Sequence, residues 1–424
     1  MKKVILNISL LFAVSLLHAQ ETVYPAQPQS QNIVLTHATI HIGNGNVIND
    51  GMILFRDGKI ISVGPTEPVK DNAKIIDCTG KQIYPGLIDA VTNLGLEEIS
   101  AVRATSDEYE LGNISTNIQS MWAYNTDSKI INTVRSNGIL LCNVIPQGGI
   151  ISGASSVMQL DAWNWEDAVY KANNGIHFNM PSLTRFGNPD SDPVGDAQKQ
   201  IDEVRTFFRQ AKAYLAETKH DNTNLKFESV KGLFNQSQIF YVHCNYVKEM
   251  MMAVEFAKEF GFRTVIVGGT DSWQIAAYLK QNNIAVILAE PHRLPSMQDD
   301  DIDQPFKTPY MLQQAGVTFC ISNNDQSTKF RNLPFSAGTA VAYGLTKEQA
   351  LQAITLNAAK LLGIDNTAGS IEAGKDANII VSDGDILDMK SSNVIYAFIQ
   401  GRQINLDNKQ KQLYEKYKYK YGVK

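Results

Sequence analysis

Hydrophobic and polar positions follow two different periods along this chain. From Ile33 to Thr79, apolar residues recur at every second position in "IVLTHATIHIGNG", "GMILFRDGKIISVG" and "AKIIDCTG". Asn-Gly, Asp-Gly and Thr-Gly steps cut these runs, which predicts short antiparallel strands. The same texture returns near the other end, in "ANIIVSDGD" and "VIYAFIQGRQIN". Between them, "GILLCNVIP", "QIFYVHC", "RTVIVGG", "IAVILAE" and "VTFCISNND" are continuous apolar runs of the kind buried on both faces of a parallel sheet. "GIHFNMP" is a weaker strand. "NYVKEMMMAVEFAKEFG", "DSWQIAAYLKQNN" and "TKEQALQAITLNAAKLLG" carry apolar residues at helical spacing, with Thr346 and Gln349 as a capping box and Gly363 as a stop.

Alternating strands and helices predict an α/β fold with a parallel sheet. Both chain ends leave that core together, which favours an eight-stranded (β/α)8 TIM-type barrel over a doubly wound sheet. The expected organisation is a small β-sandwich domain formed from both chain ends, residues 33–84 with 366–405, flanking a barrel at 85–365. Residues 406–424 form a basic tail, read as a solvated helix or frayed end.

The first residues change the picture of where the protein works. Lys2 and Lys3 precede an apolar run from Val4 to Leu17, and Ala19 offers a small residue for cleavage. The run is too short to span a bilayer and reads as a secretory signal over residues 1–19. Periplasmic or secreted localisation follows, with no membrane insertion after cleavage. The chain has 38 Lys and Arg against 43 Asp and Glu, a net charge of −5 that becomes −7 without Lys2 and Lys3. Such acidity argues against nucleic acid as a partner. Cys78, Cys142, Cys244 and Cys320 form no Cys-x-x-Cys and read as small buried hydrophobes.

"YPGLID", "NLPFSAGTAVAYGLTKEQALQAITLNAAKLLGID", "GSIEAGKDANIIV" and "VIYAFIQGRQI" occur in an order that resembles the amidohydrolase superfamily, in particular its secreted imidazolonepropionase-like branch. The resemblance implies a barrel hydrolase acting on C–N bonds other than peptide bonds, through water activated by a divalent ion, zinc by resemblance. Metal lowers the pKa of bound water and polarises a carbonyl. Carried over residue by residue, the His-x-His pair of the first barrel strand falls on Val91 and Asn93. The strand-five histidine falls on His243, the strand-six histidine near Gly268, and the strand-eight aspartate on Asn324, with Asp325 beside it. Val and Gly supply no donor, and one His with at most one carboxylate is a poor transition-metal site. The expectation is therefore a degenerate metal site, holding no cofactor or at most one divalent ion on His243.

The remaining polar residues define two readings. A catalytic set would be His243, Asp325 and His292, the last in the loop after the seventh strand. A binding surface would include Asn93, Asn324, Trp163, Gly149 and Ser152, the last two in the donor-rich "QGGIISGASS" segment. Asp161, Glu166 and Asp167 are read as a solvated face, and His37, His41 and His220 as structural or surface residues. No Gly-x-Ser-x-Gly or His-Glu-x-x-His is present. The chain is then either an altered hydrolase of a small-molecule substrate or a non-catalytic relative. The second would bind a small ligand or pair with an active paralogue, and a homo-oligomer is compatible with either reading.

Overall fold

The computed structural model describes residues 23–69, 72–183, 192–323 and 329–423. The chain first lays down β1 (Ile33–His41), β2 (Val47–Arg56), β3 (Lys59–Pro65), β4 (Lys74–Asp77) and β5 (Gln82–Pro85). Asp57 and Gly58, between β2 and β3, both have positive φ, 50° and 77°. That is the turn geometry an Asp-Gly hairpin requires.

Eight strands then form a second sheet, in chain order: β6 (Leu87–Thr92), β7 (Ile139–Val144), β8 (Ile151–Gln159), β9 (Val169–Asn179), β10 (Ile239–Cys244), β11 (Thr264–Gly268), β12 (Ala285–Leu288) and β13 (Phe319–Ile321). Ser322, just past β13, accepts the N–H of Val91 on β6 through its hydroxyl oxygen at 3.0 Å, and so draws the sheet nearly closed. This is a TIM-type α/β barrel with one departure from eight parallel strands. β8 runs antiparallel to both β7 and β9. Only Ile145 to Ile150 separate β7 from β8, too few residues for a parallel crossover. The glycine- and serine-rich segment expected as a loop is thus mostly strand, and Ser152, Ser155 and Ser156 are buried in it.

β14 (Ile379–Ser382), β15 (Val394–Ile399) and β16 (Arg402–Gln403) return to the first sheet. β14 pairs antiparallel with β5, Val381 opposite Ile83. The expected sandwich is instead one eight-stranded sheet, because this pairing joins the two chain ends edge to edge. Its own apolar cluster includes Leu35, Ile53, Phe55, Ile379 and Phe398.

Inside the barrel, Ile88, Leu141, Val157, Tyr241, Val265, Ile287 and Cys320 pack together with residues of the helix Leu356–Leu362. On the outer wall, Phe240 of β10 stacks on Phe178 of β9 and on Phe256 of the helix Val247–Phe260, with Phe178 and Phe256 tilted against each other. Phe208 of the helix Pro193–Ala216 meets Phe240 and Phe256 edge-on. Such pairs add about 0.5–1.5 kcal/mol each beyond area burial. The consequence for function is a rigid β9–β10 wall. All four cysteines are buried and unpaired. Among the described residues no helix is long and apolar enough to cross a membrane, and the expected signal segment, residues 1–19, lies outside them.

Candidate functional site

The barrel mouth lies at the C-terminal ends of the parallel strands, where active sites of this architecture sit. Here β9 and β10 run parallel with Tyr241 opposite His177 and His243 opposite Asn179. Period-two alternation puts His177, Tyr241 and His243 on one face of the wall while Phe178 and Phe240 take the other. Gly175 makes room for the next layer down. A Cβ there would sit 2.3 Å from the Tyr241 ring, so the glycine lets that ring enter the barrel. Tyr241 then stacks under His177, with centroids 4.7 Å apart and planes 18° from parallel. Its hydroxyl accepts from Asn174 at 3.1 Å and donates to the Leu361 carbonyl at 2.9 Å.

On this platform Nδ1 of His177 lies 2.8 Å from Nε2 of His243. Burial, and then the neighbouring His243, hold the His177 pKa well below its ordinary value. Burial pushes His243 down to about 4. Both rings are neutral at pH 7, so one nitrogen donates and the other accepts. Nε2 of His177 is buried without a partner. An unpaired acceptor is tolerated better than an unpaired donor. This places the His177 proton on Nδ1, donating into the Nε2 lone pair of His243.

Across the barrel, Asp89 is buried and accepts from the Ser322 hydroxyl at 2.5 Å and from the Asn323 N–H at 3.4 Å. Burial raises its pKa to about 7, against the pull of those donors. Asn143, also fully buried, donates to the Ala90 carbonyl at 3.1 Å and leaves its own oxygen unpartnered.

The sequence-predicted residues divide by position. Asn93 lies at the end of β6, buried, its amide nitrogen donating to Glu97 at 2.9 Å and Glu108 at 2.7 Å. Gly149 sits in the β7–β8 turn under Gly112 and Asn113, and its carbonyl accepts from Asn179 at 3.0 Å. Ser152 follows on β8. His292 is exposed after β12 and pairs with Thr339 at 2.8 Å rather than with His243. Because β8 runs backwards, Trp163 in the β8–β9 turn falls at the opposite end of the barrel from His243. Asp161, read as a solvated acid, is instead buried between Arg135 and Arg402, each at 2.9 Å. Asn324 and Asp325 lie outside the described residues. His177, Asp89 and Ser322 were not among the predicted site residues. The Gly175-x-His177-x-Asn179 alternation was the available signal for His177.

The mouth geometry and the strand order agree with three comparisons. A family model described as the amidohydrolase family matches residues 303–404. Imidazolonepropionases of Staphylococcus aureus (strain MRSA252) and Rhizobium rhizogenes are 24% and 23% identical over 370 and 377 residues, covering 80% of this chain and 84% and 88% of theirs. An amidohydrolase structure from Thermotoga maritima MSB8 superposes with a TM-score of 0.76 at 25% identity, over 88% of this chain and 99% of that one. The chain is similar to the amidohydrolase superfamily in sequence and in fold.

Members of the amidohydrolase superfamily usually bind a divalent metal, and such an ion needs several donors at fixed separations. Nitrogens sharing one tetrahedral zinc at about 2.0–2.1 Å lie about 3.3 Å apart, whereas 2.8 Å is a hydrogen-bond separation. Val91 offers no donor, and Gly268 carries no side chain. Among the described residues no group of three or more His, Cys, Asp or Glu side chains is arranged to hold an ion. The described donors do not fit the superfamily's metal.

Proposed function

We propose that this amidohydrolase-superfamily protein has a dismantled metal centre and uses its barrel mouth to bind a small neutral polar molecule. The observation that carries this reading is the 2.8 Å contact between His177 and His243. A His243 lone pair occupied by the His177 proton is available neither to a metal nor to an incoming water. The neutrality of both imidazoles, beside an Asp89 that titrates at about 7, supports an uncharged ligand, because no fixed positive charge is present to repay the desolvation of an anion. Nε2 of His177 and the side-chain oxygen of Asn143 are buried acceptors without partners, which a ligand's N–H or O–H groups would reach on displacing a neighbouring side chain.

A second reading keeps hydrolysis of a C–N bond other than a peptide bond. Its support is the set of imidazolonepropionase relatives. The two separate in one assay. Cyclic amides and ureides are incubated with the protein, with and without added zinc or manganese. The binding account expects thermal stabilisation by at least one compound and no turnover. Turnover that disappears in His243→Ala would establish the hydrolase instead. Lys2, Lys3, the Val4–Leu17 run and Ala19 support export to the periplasm or beyond, which the N-terminal mass of protein from the cell envelope tests.

A further inference from the structure

At the end of the barrel away from His243, a cavity of about 200 Å³ opens between the helix Lys129–Arg135, the β8–β9 turn and the segment Val23–Pro25. Its lining includes Tyr24, Tyr124, Asp127, Arg135, Leu160 and Trp163. Arg135, 3% exposed, donates through Nη1 to the Leu160 carbonyl at 3.2 Å and to Asp161 at 2.9 Å. Its Nε and Nη2 have no partner, and neither has the hydroxyl of Tyr124, which is 5% exposed. Asp161 cannot balance the charge alone, since its second oxygen is taken by Arg402 at 2.9 Å. Two guanidinium groups face one carboxylate, so the inner wall holds one uncompensated positive charge. At the rim, Tyr24 and Trp163 are 68% and 57% exposed with ring centroids 6.1 Å apart.

We propose that this cavity binds a small carboxylate bearing an aromatic ring. Buried N–H groups without acceptors call for a missing partner. Nε and Nη2 form the edge of the guanidinium that takes a carboxylate through two parallel hydrogen bonds. The Tyr124 hydroxyl supplies a third donor, and one negative charge neutralises the excess. Leu160, Tyr24 and Trp163 give the ligand's ring an apolar wall and two faces to pack on. The site is independent of the mouth: it shares no residue with His177 or His243.

The test is titration of the full-length mature protein with phenylacetate, followed by calorimetry and Trp fluorescence, with phenylacetamide as the neutral comparator. The expected result is saturable one-to-one binding of phenylacetate, about tenfold or more tighter than phenylacetamide. Tyr124→Phe, which removes one oxygen from the wall, weakens it several-fold. Arg135→Lys keeps the charge opposite Asp161 but loses the fork, and weakens it about tenfold or more. His243→Ala leaves it unchanged. Absence of phenylacetate binding, equal binding of the amide, or binding indifferent to both Tyr124→Phe and Arg135→Lys would overturn the proposal. Should Arg135→Lys unfold, the amide comparison and Tyr124→Phe decide.

Discussion

Nδ1 of His177 and Nε2 of His243 are hydrogen-bonded to each other across 2.8 Å, on adjacent strands of the barrel wall. Both imidazoles have folded-state pKa values below the ordinary 6.5, so both stay neutral where the unfolded chain takes up protons. Their contribution to stability is complete above about pH 6.5 and is lost as pH falls toward 4. Each group contributes up to about 1.4 kcal/mol per pH unit in that window. Urea denaturation at pH 7.5, 6, 5 and 4.5 measures this. The double variant His177→Gln/His243→Gln should lose less stability across the series than the wild type. Parallel curves would refute it.

Asp161 is buried completely and holds Arg135 and Arg402, and its Oδ2 also accepts the Ala26 N–H at 2.9 Å. It thereby ties the first described segment, the β8–β9 turn and β16 together. Asp161→Asn leaves two guanidinium groups without a counter-charge, at a cost of about 3–5 kcal/mol. A loss below about 1 kcal/mol by urea denaturation would mean the network is not structural.

His41 faces two acceptors, Glu348 at 2.6 Å and Gln82 at 2.9 Å, and so must carry a proton on both nitrogens to satisfy them. Burial works to lower its pKa, but Glu348 and Gln82 outweigh burial and the net shift is upward. A raised folded pKa gives stability that is complete below 6.5 and lost as pH rises through the folded value. His41→Gln should cost about 1.5–3 kcal/mol at pH 6 and much less at pH 9. A difference independent of pH would show that the ring is neutral.

Much of this architecture was legible in the chain. β7 and β10 to β13 are largely apolar runs, because both faces of a barrel strand are buried, and their short length marks them as strands. β8 was not legible, since Gly153, Ser155 and Ser156 have the composition of a loop. Tertiary burial overrides that composition, as Ser155 finds its partner in Asn174 at 2.8 Å, inside the barrel. His177 escaped for a related reason. Its segment has few apolar residues, and its importance comes from His243, which lies 66 residues further on. The mouth position of His243 followed from resemblance, whereas its hydrogen-bond partner required coordinates.

Gly268 occupies the place where the resemblance puts a strand-six histidine. It has φ of +97°, and a Cβ there would sit 2.5 Å from the Asn245 side-chain oxygen. L side chains are strained at such φ. Gly268→His should therefore lower stability by about 1–3 kcal/mol and not create stoichiometric zinc binding. A stable Gly268→His protein holding one zinc per chain would show that the backbone there is still shaped for a ligand.

A dismantled metal centre leaves the protein without a stoichiometric ion, so its metal content is decisive. Protein purified from its native compartment without chelator is analysed for zinc, manganese and iron, alongside His243→Ala prepared identically. The wild type should carry well under one equivalent of any of these, unchanged in the variant. One equivalent in the wild type that is lost in His243→Ala would show a working metal centre.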